Sequence, residues 1–210
     1  MELVEFADKA LFPMTVTLLY AIFYIYRFEF FSKIKKYLKN KAQIKALKLL
    51  AYNFKFKLGN WIFTILIPMI SAIILDIIIM LIFRIPMRPY DEPFWFILIF
   101  RSLINPIAEE VVVRAFILGA FFLTTITLVE MLYRRKFNPI FKKFWMVCSL
   151  VLQVIIFATA HENPALFNWV IRISSGFLYG GFYLLSKRNL LPPIVAHITH
   201  NLVITLTEIV

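Results

Sequence analysis

Long stretches without a charge constrain this chain more than any other feature. Leu11–Tyr26, Ala115–Val129 and Phe144–Ala160 carry none, and Gly59–Phe83 carries only Asp76. Phe167–Ser186 contains only Arg172, and Asn189–Thr207 has two histidines and no formal charge. A helix needs about 20 predominantly apolar residues to cross the hydrocarbon core of a bilayer. Transmembrane barrels are instead built from short alternating segments, so unbroken runs of this length predict helical spans. Composition agrees: 61% of residues are hydrophobic and 17% are charged, against about 25% charged in soluble domains. The predicted fold is all-α, a polytopic transmembrane helical bundle of about six to seven spans in the cell membrane. Phe94–Leu103 is too short to cross alone; it is either an interfacial or re-entrant helix, or a tilted span joined to its successor. The wealth of Phe, Ile and Leu excludes disorder, and the single Cys148 excludes a disulfide scaffold.

The net charge of +11 would suggest nucleic acid as a partner in a soluble protein. Here the basic residues lie between the apolar runs, so they read as topology signals and lipid contacts, with no nucleic-acid role. Lys33–Lys57 holds nine lysines, with Ile34, Tyr37, Leu38, Ile44, Leu47 and Leu50 near helical spacing, as in an amphipathic helix on a membrane surface. Lys33–Lys57, Arg134–Lys143 and Lys187–Arg188 are all expected on the cytoplasmic side, provided that Phe94–Tyr133 crosses once. Acidic Glu2, Glu5 and Asp8 precede the first run, which argues against a cleavable signal peptide. With no internal repeat and no hydrophilic linker, one integrated domain is expected. Its N-terminal membrane segment covers 1–93 and its second part 94–210.

Ionisable residues inside apolar runs are costly unless they are paired or functional. The first cluster is Glu109-Glu110-Val111-Val112-Val113-Arg114. On a helix Glu110 and Arg114 are one turn apart and can pair, whereas Glu109 points about 100° away from Glu110. An ordinary charge cluster at a helix start is the plainer reading of these residues alone. The second cluster is Phe157-Ala158-Thr159-Ala160-His161, where a histidine ends an uncharged run. The third is His197-Ile198-Thr199-His200-Asn201, in which His197 and Asn201 share a face. Taken singly, the last two fit a boundary histidine and polar interhelical glue. Two histidines on one helix also invite a zinc reading, but His197 and His200 are three apart, unlike the His-x-x-x-His of zinc proteases. Three such clusters in one membrane chain are best tolerated if they converge on one polar cavity. That convergence requires His197 to sit several residues deep in its helix, or the spans near Asn163–Trp169 to be shifted.

These residues resemble the CPBP family, the CAAX prenyl proteases and bacteriocin-processing or immunity proteins. The family pattern is Glu-Glu-x-x-x-Arg, then Phe-x-x-x-His, then His-x-x-x-Asn. Here it is filled by Glu109, Glu110 and Arg114, by Phe157 and His161, and by His197 and Asn201. The resemblance covers about Asn105 to the C-terminus and implies a membrane-embedded endopeptidase of the glutamate type. It implies that Glu109 and His161 activate a water, that His197 and Asn201 form the oxyanion hole, and that Glu110 and Arg114 support the site. It implies no cofactor and no metal. The implied partner is a peptide or lipidated protein substrate, of which a prenylated CAAX C-terminus is one candidate. A non-catalytic immunity or scaffold protein of the same superfamily is the alternative. A proton-relaying transporter using Asp76, Glu109 and His161 is a third, without the inverted repeat expected of it.

Overall fold

The computed structural model describes residues 13–20, 41–83, 93–133, 135–160 and 166–209. These form seven helices and no strand: α1 (13–20), α2 (Lys41–Tyr52), α3 (Ile62–Phe83), α4 (Phe94–Tyr133), α5 (Pro139–Thr159), α6 (Leu166–Leu185) and α7 (Leu191–Ile209). The protein is an all-α helical membrane bundle. Helices α3, α4 and α5 are each long and apolar enough to cross a membrane.

Polarity is distributed inside out. Ile74, Ile78, Leu81 and Ile82 of α3 and Ile140, Phe144 and Val147 of α5 are exposed, whereas Asp76, Glu110, Arg114, Gln153, His197 and His200 are buried. An apolar surface this extensive would aggregate in water; against lipid it is the expected exterior.

Phe94–Leu103 is not a separate helix. It runs without a break into α4, which is 40 residues long. The internal charges that interrupt the apolar pattern are turned into the bundle rather than ending the helix. Prolines are accommodated in two ways. Asn138 caps α5, its side chain accepting from the Ile140 N–H at 2.9 Å, with Pro139 in the first turn. Pro192 and Pro193 likewise occupy the first turn of α7, where a missing N–H leaves no bond unmade. Pro68 and Pro106 lie inside α3 and α4. Each follows a wider stretch, Ile62–Leu66 and Ile97–Ile104, in which bonds run five residues back, as from the Asn105 N–H to the Phe100 carbonyl. Widening the turn before a proline relieves the clash of its ring with the preceding carbonyl.

Helix α7 is central, packed against α3, α4 and α6. One apolar core gathers Val111, Ala115 and Leu118 of α4 with Tyr183 of α6 and Ile194 of α7; a second joins Ala72, Tyr179 and Ala196. At one end of the bundle the chain after α2 is tied to the α6–α7 turn. The Asn189 side chain donates to the Lys57 carbonyl (2.6 Å) and accepts from the Lys57 N–H (2.9 Å). Asn53 is fully buried. It donates to Thr124 Oγ1 (2.8 Å), while its Oδ1 accepts from Arg188 (2.7 Å) and its carbonyl from the Tyr183 hydroxyl (2.9 Å). Lys187 and Arg188 hold φ of 57° and 62°, a left-handed conformation uncommon outside glycine. Burial lowers the Arg188 guanidinium from its ordinary value. Gly119 makes this junction possible: a Cβ there would lie 2.4 Å from the Tyr183 hydroxyl and 2.9 Å from Asn53. Helix α2 also packs on the C-terminal part of α4. The basic segments around α2, Arg135–Lys143 and Lys187–Arg188 therefore share one end of the bundle. Residues 33–40 and 134 of those segments lie outside the described residues.

Candidate active site

Of the six site residues expected from the sequence, Glu110, Arg114 and His197 form one buried cluster, with Glu109 at its edge. Arg114 Nε donates to Glu110 Oε2 at 2.8 Å, with both side chains fully buried. Two aromatic rings cover the guanidinium, Phe157 at 5.1 Å and Tyr179 at 5.8 Å. On its other side Glu110 meets His197: Nδ1 lies 3.0 Å from Oε1. His197 is six residues into α7, deep enough to reach α4. Its second nitrogen faces the other glutamate, with Nε2 at 3.8 Å from Glu109 Oε2. That separation exceeds a direct hydrogen bond. With Nδ1 engaged by Glu110, Nε2 is the nitrogen turned toward Glu109.

The adjacent carboxylates thus sit in different surroundings, as the 100° turn between neighbours requires. Glu110 is sealed, whereas the Glu109 side chain is 33% exposed and lines a cavity of about 520 Å³. Asn201, one turn beyond His197, lines the same cavity. One of its amide N–H groups donates to the Arg101 carbonyl at 2.8 Å, leaving the second for another acceptor. Phe157 packs edge-on to His197 at 6.2 Å. The expected neighbour of Phe157, His161, lies outside the described residues. Among the described residues no group of three or more His, Cys, Asp or Glu side chains is placed to hold a metal ion.

The family described as type II CAAX prenyl endopeptidase Rce1-like matches residues 91–203, more than half of the chain and the part that holds this cluster. The chain belongs to this family. At the family level it is a CAAX-type intramembrane endopeptidase. No significant match emerged from comparison with curated proteins or with solved structures.

Within this Rce1-like domain the cavity recruits residues that the sequence motifs do not contain. Arg101, Asn105 and Glu109 all line it from α4. Their spacing of four residues is a polar stripe that could have been read from the sequence. Arg172 and Ser175 contribute from α6. Tyr179 stacks on His197 with centroids 4.8 Å apart and planes at 22°, and its edge meets His200 at 6.5 Å. His200 also lines the cavity. Its Nδ1 is 2.5 Å from Oδ1 of Asp76 on α3, which precedes the matched region. No local signal joins Asp76 to His200, because they are 124 residues apart.

Proposed function

We propose that this Rce1-like protein is a glutamate-type intramembrane endopeptidase that hydrolyses a peptide bond in a prenylated protein C-terminus. We assign it to the cell membrane as a multi-pass protein. Residues 94–210 carry the chemistry, and 1–93 belong to the same integrated domain. The observation that carries this reading is the unequal surroundings of the paired glutamates, with Glu109 facing the cavity and Glu110 held by Arg114 and His197.

In this mechanism Glu109 takes a proton from water as the oxygen attacks the scissile carbonyl. The 3.8 Å between Glu109 and His197 is a gap that a water can bridge. By family resemblance His161 helps hold that water. The developing oxyanion receives hydrogen bonds from His197 Nε2–H and from the second amide N–H of Asn201. Donation from Nε2 while Nδ1–H holds Glu110 requires the ring to carry both protons. Such donors act most strongly where water is scarce. Glu110 and Arg114 are supporting residues: they fix the orientation of His197, and no step passes through them.

The test compares wild-type protein with Glu109→Gln, reconstituted in liposomes, on farnesylated and unprenylated CAAX peptides. Wild-type protein should cleave the farnesylated peptide, and Glu109→Gln should be slower by about 10²–10⁴, as for loss of a general base. Equal rates in the two preparations would sink the assignment, and equal cleavage of both peptides would remove the prenyl requirement.

A further inference from the structure

The reaction above uses one carboxylate–imidazole couple, Glu110–His197. The cavity has another. Asp76 is the only charge in α3, it is 3% exposed, and its Oδ1 holds His200 Nδ1 at 2.5 Å. His200 is 7% exposed, and the part of it that is open lines the cavity. The two imidazoles are on successive turns of α7, each tied at Nδ1 to a buried carboxylate from a different helix. Tyr179 lies against both, face-on to His197 and edge-on to His200. With Nδ1 bonded to Asp76, the free edge of the His200 ring is Nε2.

We propose that His200 is the proton donor to the leaving amine, and that Asp76 positions it and stabilises its charged form. This rests on the glutamate-type reading, in which Glu109 has already taken the proton of the attacking water. The oxygen–carbon bond forms, the carbon–nitrogen bond breaks, and its electron pair goes to nitrogen. That nitrogen takes the proton from His200 Nε2–H. The proton held by Glu109 then returns to His200 through cavity water, so one water is consumed and a carboxylic acid and an amine are released. His200 directly precedes Asn201, so the donor and the oxyanion hole share one turn of α7. Asp76 thereby makes a helix outside the family-matched region part of the catalytic apparatus. Among the described residues the charged and titratable groups around His200 are Asp76 from α3, Arg101 and Glu109 from α4, Tyr179 and Arg172 from α6, and His197 from α7.

An ester in place of the scissile amide provides the test, because an alkoxide leaves with less need of a proton than an amine does. Farnesylated peptides with an amide or an ester at the cleavage position are compared on liposome-reconstituted full-length protein. His200→Gln should slow amide cleavage by about 10²-fold, within the range for a lost general acid, and ester cleavage far less. Asp76→Asn should act in the same direction by a smaller factor. Glu109→Gln should lose both reactions; if it keeps both, the glutamate-type reading itself is wrong. If it loses both while His200→Gln affects amide and ester equally, or neither, His200 is not the donor. Should the single variants fail to fold, the double variant Asp76→Asn/His200→Gln keeps a neutral hydrogen-bonded pair.

Discussion

Two buried polar networks sit in this bundle, and they differ in how completely their atoms are paired. Around Asn53 the amide and carbonyl groups are matched to Thr124, Arg188 and Tyr183 on three other parts of the chain. Around His197 and His200 the pairing is incomplete. Asp76 Oδ2, Asn105 Oδ1, Arg114 Nη1 and the Tyr179 hydroxyl are buried without a hydrogen-bond partner among the described residues. An unpaired buried polar atom costs about 1–3 kcal/mol, so a network concerned only with stability would be expected to look like the Asn53 junction. The contrast separates a closed structural junction from a cluster with capacity left for a substrate and water.

The largest expected effect falls in the open network. Glu109→Gln should lower turnover by about 10²–10⁴ while leaving the melting temperature within a degree or two (roughly ±0.5 kcal/mol). The adjacent change should behave in the opposite way: Glu110→Gln strands Arg114, and breaking a buried pair costs about 3–5 kcal/mol. Thermal melts beside peptidase rates distinguish them, and a stable, inactive Glu110→Gln with a stable, active Glu109→Gln would reverse the assignment. Next comes the closed network. Asn53→Ala leaves Arg188 without its acceptor, while Thr124 keeps its bond to the Gly119 carbonyl; it should cost about 1–3 kcal/mol, with the rate per folded molecule unchanged. A proportionate fall in rate at unaltered stability would mean that the junction belongs to the site. Gly119→Ala should destabilise by about 1–3 kcal/mol through overpacking against Tyr183 and Asn53, read from the same melts. The smallest effect is expected from chelation: metal-free protein should retain its activity, and loss on chelation with rescue by zinc would remove Glu109 from the role of base.

Much of this could be read from residue spacing. The Glu110–Arg114 contact and the divergence of Glu109 follow from a helical period acting on neighbours in sequence. The helical membrane fold follows from run length. What spacing could not supply was any contact between distant helices. Asp76 stood out as a lone charge in an apolar run, but its partner His200 is on the last helix. Tyr179, central to both imidazoles, lies in a run with nothing local to distinguish it. The continuity of α4 was obscured because Arg101, Glu109, Glu110 and Arg114 break the apolar pattern; they do so because they face the interior. The Asn53 junction was hidden for a similar reason, since an asparagine after a basic amphipathic helix looks like a solvated helix end.

The length of α4 has a further consequence. Forty residues at a rise of about 1.5 Å would extend about 60 Å, roughly twice the hydrocarbon thickness of a bilayer. The wider turns shorten it, but the excess remains large. Hydrophobic mismatch of this kind is met by tilt, by local thickening of the lipid or by emergence into water, at fractions of a kcal/mol per ångström. Glu109 and Glu110 are carried near the middle of this helix, so a change of tilt moves them relative to α6 and α7. Lipids of graded acyl-chain length are therefore expected to change the rate of the reconstituted protein without any change in its sequence.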